Sequence, residues 1–252
     1  MVLSIVIIIV AVGFVLLRIG LSRVELLRSP SFEGIEDLEI ARAYDRISRW
    51  PQFRLLRRMF ARKLADYRPA GILADIGCGP GYLTTLIARN HRHLQVVGID
   101  TADEMIKVAD LNASNLGLSD RVEFRRGDAG SLPIPDGTFG FAVSTFSLHH
   151  WSDPSRCLDE IHRTLKAGGQ LLLLDLRRDS RRFFFWLLSF AQRVVVPAGI
   201  RRINEPLGSL QASYTLTELE DLLAESLFQE HKIEGGTGWV FVWARKGSSE
   251  AR

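Results

Sequence analysis

Cysteine is nearly absent from this chain of 252 residues: Cys78 and Cys157 are the only two, and neither sits in a spacing that would hold a metal. That excludes a disulfide framework and suits a reducing compartment. One-sided charge is missing too. Against 32 Lys and Arg stand 29 Asp and Glu, and a formal +3 is too small an excess to argue by itself for nucleic acid. No Gly-Lys-Ser/Thr triplet closes a glycine run, so a P-loop is excluded. There is no internal repeat and no low-complexity tract. What remains is an ordinary globular composition, 46% hydrophobic and 24% charged, long enough for one sizeable α/β domain with an appendage.

Charge is also missing from Met1 to Leu17, an unbroken and mostly aliphatic run. As a helix, about 17 residues at about 1.5 Å each give about 25 Å, near the lower limit for crossing a bilayer. Ile19 and Leu21 extend it if Arg18 snorkels. A cleaved signal peptide would carry a basic leader and a small-x-small cleavage site. Here Arg18, Arg23 and Arg28 follow the apolar run instead. The expectation is therefore a retained anchor over residues 1–21 and a single-pass membrane protein, its body on the cytoplasmic side by the positive-inside rule. Residues 22–69 read as a basic amphipathic helical linker, with Arg42, Arg46, Arg49, Arg54, Arg57, Arg58, Arg62, Lys63 and Arg68 interleaved with Phe53, Leu56, Met59, Phe60 and Leu64. Such a face suits anionic headgroups or plain solvent.

From about residue 70 to 246 strands alternate with helices, and residues 247–252 form a tail. Strands are expected over Ile72–Ile76, Leu94–Ile99, Val122–Arg126, Phe139–Ser144 and Leu171–Asp175, with two more near His231–Gly235 and Trp239–Arg245. Helices are expected over Tyr82–Arg89 and Ala102–Asn115. A third starts at Asp153-Pro154 and ends at Gly168-Gly169, and a fourth is opened by the capping box Thr215 to Glu218. The pattern argues an α/β, doubly wound, mostly parallel sheet.

The first strand runs into Asp75-Ile76-Gly77-Cys78-Gly79-Pro80-Gly81, and a helix follows. Glycines there let a ligand approach the backbone, and helix N–H groups face it. A dinucleotide fingerprint would need glycine at position 82, which is Tyr82. Asp75 would repel a pyrophosphate yet could take the ammonium of a methionine moiety. Asp100, ending the second strand, suits ribose hydroxyls. Asp128, after the third, is placed to reach an adenine amino group. Turn chemistry alone could account for any one of these acids. Three acids after three successive strands make the stronger pattern, and they point to S-adenosylmethionine.

On these residues the chain resembles the class I S-adenosylmethionine-dependent methyltransferases, and most of all their ubiquinone/menaquinone C-methyltransferase-like branch (methyltransferase type 11). The likeness extends through Gly127-Asp128-Ala129, Leu132 to Phe139, Ser147-Leu148-His149-His150-Trp151 and Leu158 to Gly169, and covers about residues 40 to 245. It implies seven strands in a Rossmann-like sheet, the last antiparallel. It also implies cofactor contacts from Tyr44, Asp75, Gly77, Cys78, Gly79, Gly81, Asp100, Thr101, Met105, Asp128, Ala129 and Ser144. Two departures stand out: Gly140 where aspartate usually follows the phenylalanine, and Ala167 where proline usually precedes the double glycine. No metal is expected.

Methyl transfer from a sulfonium needs alignment first, and a base only where the acceptor must lose a proton. His149 and His150 are the candidate bases, with packing against Trp151 as their alternative role. The insertion 177–212 holds Arg181-Arg182-Phe183-Phe184-Phe185-Trp186-Leu187-Leu188, too short to span a bilayer and unusually aromatic. It reads as an interfacial lid over the site or as a core helix. Anchor, basic stretch and insertion together favour a small lipophilic acceptor, such as a quinone precursor or a lipid, with a membrane as partner. Nucleic acid is disfavoured, since Ser144-Thr145-Phe146-Ser147 stands where many base-amine methyltransferases carry Asn/Asp-Pro-Pro-aromatic. An RNA enzyme and a non-catalytic, membrane-tethered cofactor-binding protein remain the alternatives.

Overall fold

A computed structural model describes residues 20–24, 26–29, 38–202 and 204–248. Two helices come first, α1 (Leu38–Ser48) and α2 (Pro51–Asp66). Next are β1 (Ile72–Ile76), α3 (Tyr82–Asn90), β2 (Gln95–Asp100), α4 (Asp103–Asn115), β3 (Val122–Arg126) and β4 (Phe139–Thr145). A short 3-10 turn over Leu148–His150 leads to α5 (Pro154–Thr164) and β5 (Leu165–Leu176). The chain closes with α6 (Arg182–Val194), α7 (Ala198–Arg202), α8 (Leu207–Ala212), α9 (Leu216–Ala224), β6 (Glu230–Gly235) and β7 (Trp239–Arg245).

The seven strands form one sheet in the order β3-β2-β1-β4-β5-β7-β6. It is mixed rather than simply parallel: four pairings run parallel, while β7 is antiparallel to both β5 and β6. Its two faces carry separate cores. One gathers Ile76, Ile99, Phe139, Leu158, Ile161, Leu171 and Leu223 under α5 and α9. The other gathers Phe60, Leu64, Leu83, Ile87, Val96, Phe124, Phe141 and Phe241 under α2, α3 and α4. Sheets covered on both faces need strands that are apolar on both sides, which is why β5 is buried almost continuously from Leu171 to Asp175. Winding reverses between β1 and β4, and in open α/β sheets ligands bind at the strand ends beside such a reversal.

Several local expectations meet the structure. Asp153 caps α5 by accepting from the Arg156 N–H, with Pro154 at the first helical position. Thr215 and Glu218 form a reciprocal capping box on α9. The double glycine, by contrast, does not end a helix. Helix α5 stops at Thr164, whose hydroxyl bonds back to the Ile161 carbonyl, and Leu165 already pairs with Phe139 as strand. Gly168 and Gly169 lie within β5 and exchange backbone hydrogen bonds with Gly247 and Lys246. Residues 38–66 lie within the stretch expected as a basic amphipathic helical linker, 22–69, and hold two helices whose inner residues Ala41, Phe60 and Leu64 are fully covered.

The expected anchor over residues 1–21 lies outside the described residues apart from Gly20 and Leu21. Among the described residues no helix is long and apolar enough to cross a membrane. The single-pass membrane localisation is therefore withdrawn. The tail at 249–252 also lies outside the described residues.

The departure at Gly140 has a steric cause. A Cβ there would lie 2.2 Å from the Ala70 carbonyl oxygen, at the irregularity where β4 shifts register against β5. Gly140→Ala is expected to lower stability in urea unfolding by about 1–3 kcal/mol, the usual cost of overpacking. Gly199→Ala, where a Cβ meets nothing within 4 Å, should not lower it.

Candidate active site

A cleft of about 680 Å³ opens at the reversal between β1 and β4. Its floor is the glycine loop. Gly77, Gly79 and Gly81 all have positive φ (72°, 51° and 73°), a region that costs a side-chain-bearing residue strain. The loop is held from β2: the Ile99 carbonyl accepts from the Gly77 and Cys78 N–H groups at 2.8 and 3.0 Å. Next to it, Asp100 takes the Gly79 N–H on Oδ2 (2.8 Å) and the Ala102 N–H on Oδ1 (3.0 Å). From the β4 side the Ser147 hydroxyl presses in, only 2.2 Å from where a Cβ on residue 77 would be. At Gly79 nothing lies within 4 Å of that position, so the cradle stays open toward the cleft.

Most of the expected site residues come together here. Tyr44, Gly77, Cys78, Gly79, Asp100, Thr101, Met105, Asp128, Ala129 and His150 all line the cleft. Four others do not. Gly81 faces the packing of α3, where a Cβ would strike Phe124 and Ala109. Ser144 is a buried β4 residue with an unpartnered hydroxyl. Asp75 sits beneath the loop, 1% exposed, accepting from the Thr84 hydroxyl at 2.6 Å, with Oδ1 buried and unpartnered. Burial pushes its carboxyl up from 3.8 to about 7, against the opposing Thr84 hydrogen bond. The fourth is His149, which is buried. Its Nδ1 donates to Asp175 Oδ1 (2.6 Å) and its backbone N–H to Oδ2 (3.0 Å). Among the described residues of the insertion 177–212, none lines the cleft.

Sequence reasoning missed a clamp on the other side. The Tyr82 hydroxyl donates to Asp45 Oδ1 (2.7 Å). Arg49 donates both to that hydroxyl (2.5 Å) and to Asp45 Oδ2 (2.7 Å). The Arg57 guanidinium lies 5.0 Å from the Tyr82 ring centre. Together these tie α1, and so Tyr44, to the first residue of α3. The signal was present as Asp45 and Arg49 at an i,i+4 spacing, but their shared partner lies 33 residues beyond Arg49. The lining also includes the apolar side chains of Phe53, Leu56, Phe146 and Trp151, alongside the cationic Arg57, Arg126 and Arg156.

Comparison with known proteins agrees with this arrangement. A family profile described as a methyltransferase domain matches residues 74–173. An uncharacterised methyltransferase of Bacillus subtilis is 30% identical over 157 residues, 62% of this chain and 60% of that protein. The chain thus spans less than two thirds of that relative's length. A demethylmenaquinone methyltransferase of Thermotoga maritima is 31% identical over 162 residues, covering 63% of this chain and 68% of the relative. In three dimensions, a putative S-adenosylmethionine-dependent methyltransferase of Methanococcus maripaludis superposes with a TM-score of 0.67. That match has 22% identity over 86% of this chain and 96% of the other, and so speaks for the fold.

The open cradle at Gly79 and the carboxylate beside it fit S-adenosylmethionine. Asp100 borders the cleft while pinning the loop, and Asp128 and Ala129, which the sequence assigns to the adenine, line the same cleft. Asp100→Ala should weaken S-adenosylmethionine binding about tenfold to a hundredfold by calorimetry, the worth of one or two hydrogen bonds to a charged group; unchanged affinity would remove Asp100 from the site. Asp75 gives a pH test on the ligand-free protein. Its folded pKa is raised, so its protonated form contributes stability that is fully present below about pH 4 and is lost as pH rises to about 7. Unfolding curves of the native chain minus those of Asp75→Asn should show that loss across this window, and a flat difference would mean the carboxyl is not buried as described.

Proposed function

The chain belongs to the class I S-adenosylmethionine-dependent methyltransferases, in their quinone C-methyltransferase-like branch, and we propose that its methyl acceptor is a small lipophilic molecule of the quinone-precursor kind. It is an enzyme, and S-adenosylmethionine is its methyl donor. The acceptor reading rests on one observation above the others. Phe53, Leu56, Phe146 and Trp151 are among the residues that line the cleft, and their apolar faces suit a flat ring system. The demethylmenaquinone methyltransferase relative supports the same class.

Bound S-adenosylmethionine supplies an activated methyl group. The protein's share is then mostly alignment and exclusion of water. Tyr44, held by the Tyr82–Asp45–Arg49 clamp, bounds one side of the cleft, and the indole N–H of Trp151 donates to Ser147 at 3.1 Å to fix the other. His150 is the cleft histidine. An acceptor hydroxyl that must lose its proton to activate the ring would give it to this imidazole. His149, locked by Asp175 and outside the cleft, orients the turn that presents its neighbour.

The test is transfer of labelled methyl from S-adenosylmethionine to three pools offered to the full-length protein: a demethylated naphthoquinol, a total lipid extract and total RNA. Label is expected in the organic-extractable product of the first or second. Label confined to RNA would replace the proposal with the nucleic-acid reading, and cofactor binding with no transfer to any pool would overturn the lipophilic acceptor.

A further inference from the structure

Helix α2 turns one face to the cleft and another to water. Phe53, Leu56, Arg57 and Phe60 recur at three- and four-residue steps, and all of them line the cleft. Arg54, Arg58 and Arg62 stand on the exposed side of the same helix. One cation therefore interrupts an otherwise apolar inner face. It sits at the exit of the glycine loop: the Arg57 guanidinium lies 5.0 Å from the ring centre of Tyr82, the first residue of α3.

Arg57 is half-buried, and no acid answers its charge. Among the described residues Arg49 pairs with Asp45 (2.7 Å) and Lys63 with Glu234 (2.6 Å), whereas no carboxylate pairs with Arg57. Burial pulls its guanidinium pKa below the usual range; Tyr82 opposes that and Arg54 adds to it. A partly desolvated cation is costly unless an anion meets it. The Tyr82 face attracts it but brings no full charge.

S-adenosylmethionine brings one anionic group, the α-carboxylate of its methionine moiety. Asp100 and Asp128 put negative charge along the cleft and repel it. The other arginines of the lining are engaged elsewhere. Arg126 pairs with Asp103 (2.9 Å), and the Arg156 Nε–H donates to the Gly130 carbonyl (2.7 Å). Arg126 precedes Asp128 by two residues and Arg156 bonds two residues past it, so both belong with the acid that the sequence assigns to adenine. We propose that Arg57 binds the α-carboxylate of S-adenosylmethionine and so fixes the methionine end of the cofactor from the α2 side. Its planar fork can give two parallel N–H groups to one carboxylate. The Tyr82 ring, itself tied to Asp45 and Arg49, keeps the guanidinium beside the loop. The assignment rests on the methyl donor and is independent of the acceptor.

Calorimetry with two ligands tests it: S-adenosylmethionine and its decarboxylated form, which lacks only this group. The full chain is compared with Arg57→Gln and with Arg58→Gln, which removes the same charge from the exposed side of α2. Arg57→Gln should bind S-adenosylmethionine about tenfold to a hundredfold more weakly, the worth of hydrogen bonds between charged groups. It should bind the decarboxylated ligand no more weakly than the native chain does, and Arg58→Gln should match the native chain for both. Where Arg57→Gln fails to fold, as judged by thermal melting, Arg57→Lys gives the same comparison. It keeps the charge and loses the fork, so a smaller loss is expected, still confined to S-adenosylmethionine. Three results would each overturn the proposal. Unchanged affinity of Arg57→Gln for S-adenosylmethionine removes Arg57 from the site. Equal losses for both ligands mean that it acts through the Tyr82 clamp and not on the carboxylate. A matching loss in Arg58→Gln means that the ligand senses the overall charge of the helix rather than one contact.

Discussion

The Ile99 carbonyl accepts hydrogen bonds from two successive N–H groups, those of Gly77 and Cys78, and the Asp100 carboxylate beside it takes the N–H of Gly79. Three contacts from the end of one strand thus fix the loop that leaves its neighbour. The consequences spread through the packing. Cys78 turns its sulfur down toward Gly98, where a Cβ would come within 3.0 Å of it and within 2.4 Å of Phe124. Phe124 in turn fills the space that a side chain at Gly81 would need. The loop therefore constrains the face of β2, the seat of α4 and the start of α3 together. Burial, with Asp100 and Asp75 nearby, pushes the Cys78 thiol well above its usual range, so this cysteine packs as a small apolar group rather than acting as a nucleophile.

Charge around that loop is layered. Asp100 borders the cleft, and two backbone N–H groups stabilise its carboxylate, while Asp75 lies beneath with one oxygen bonded and one orphaned. A buried carboxyl in that condition is held toward its neutral form by desolvation. Arrival of a cation in the loop would favour the ionised form, so the group under the loop is sensitive to the charge of what the loop receives. Farther out, Asp45 is shared by Tyr82 and Arg49, and Arg57 covers the tyrosine ring. Tyr82 thus does two things at one position. It denies the loop its third dinucleotide glycine, and it supplies the hydroxyl that ties α1 across the cleft.

Strands were legible in the sequence wherever an apolar run was bounded by turn residues. Ile72–Ile76, Val122–Arg126 and Trp239–Arg245 fall at the expected bounds. The double glycine misled because a Gly-Gly after a helical pattern usually marks a helix end. Here the helix had already ended at Thr164, and the glycines bond to Gly247 and Lys246, more than 70 positions away. Cofactor-side residues were legible because strand ends, acids and glycines are local signals. The α1–α3 clamp and the His149–Asp175 pair were not, because each joins residues that only the sheet order brings together. Apolar composition alone also could not say which surface the insertion would meet; α6 attaches to the incoming N-terminal chain and to Gly238, not to the cleft.

His149 and His150 show how far adjacent letters can diverge in role. In a 3-10 turn successive residues are rotated by about 120°, so two neighbours cannot face the same way. His149 is directed inward, where Asp175 takes both its ring Nδ1–H and its backbone N–H. His150 is thereby left on the cleft side, its ring 4.0 Å from that of its neighbour. Asp175 is buried near the end of β5. The carboxylate at the end of one strand consequently fixes the direction of a side chain it never touches, and the cleft histidine is oriented by the same sheet that orients the glycine loop.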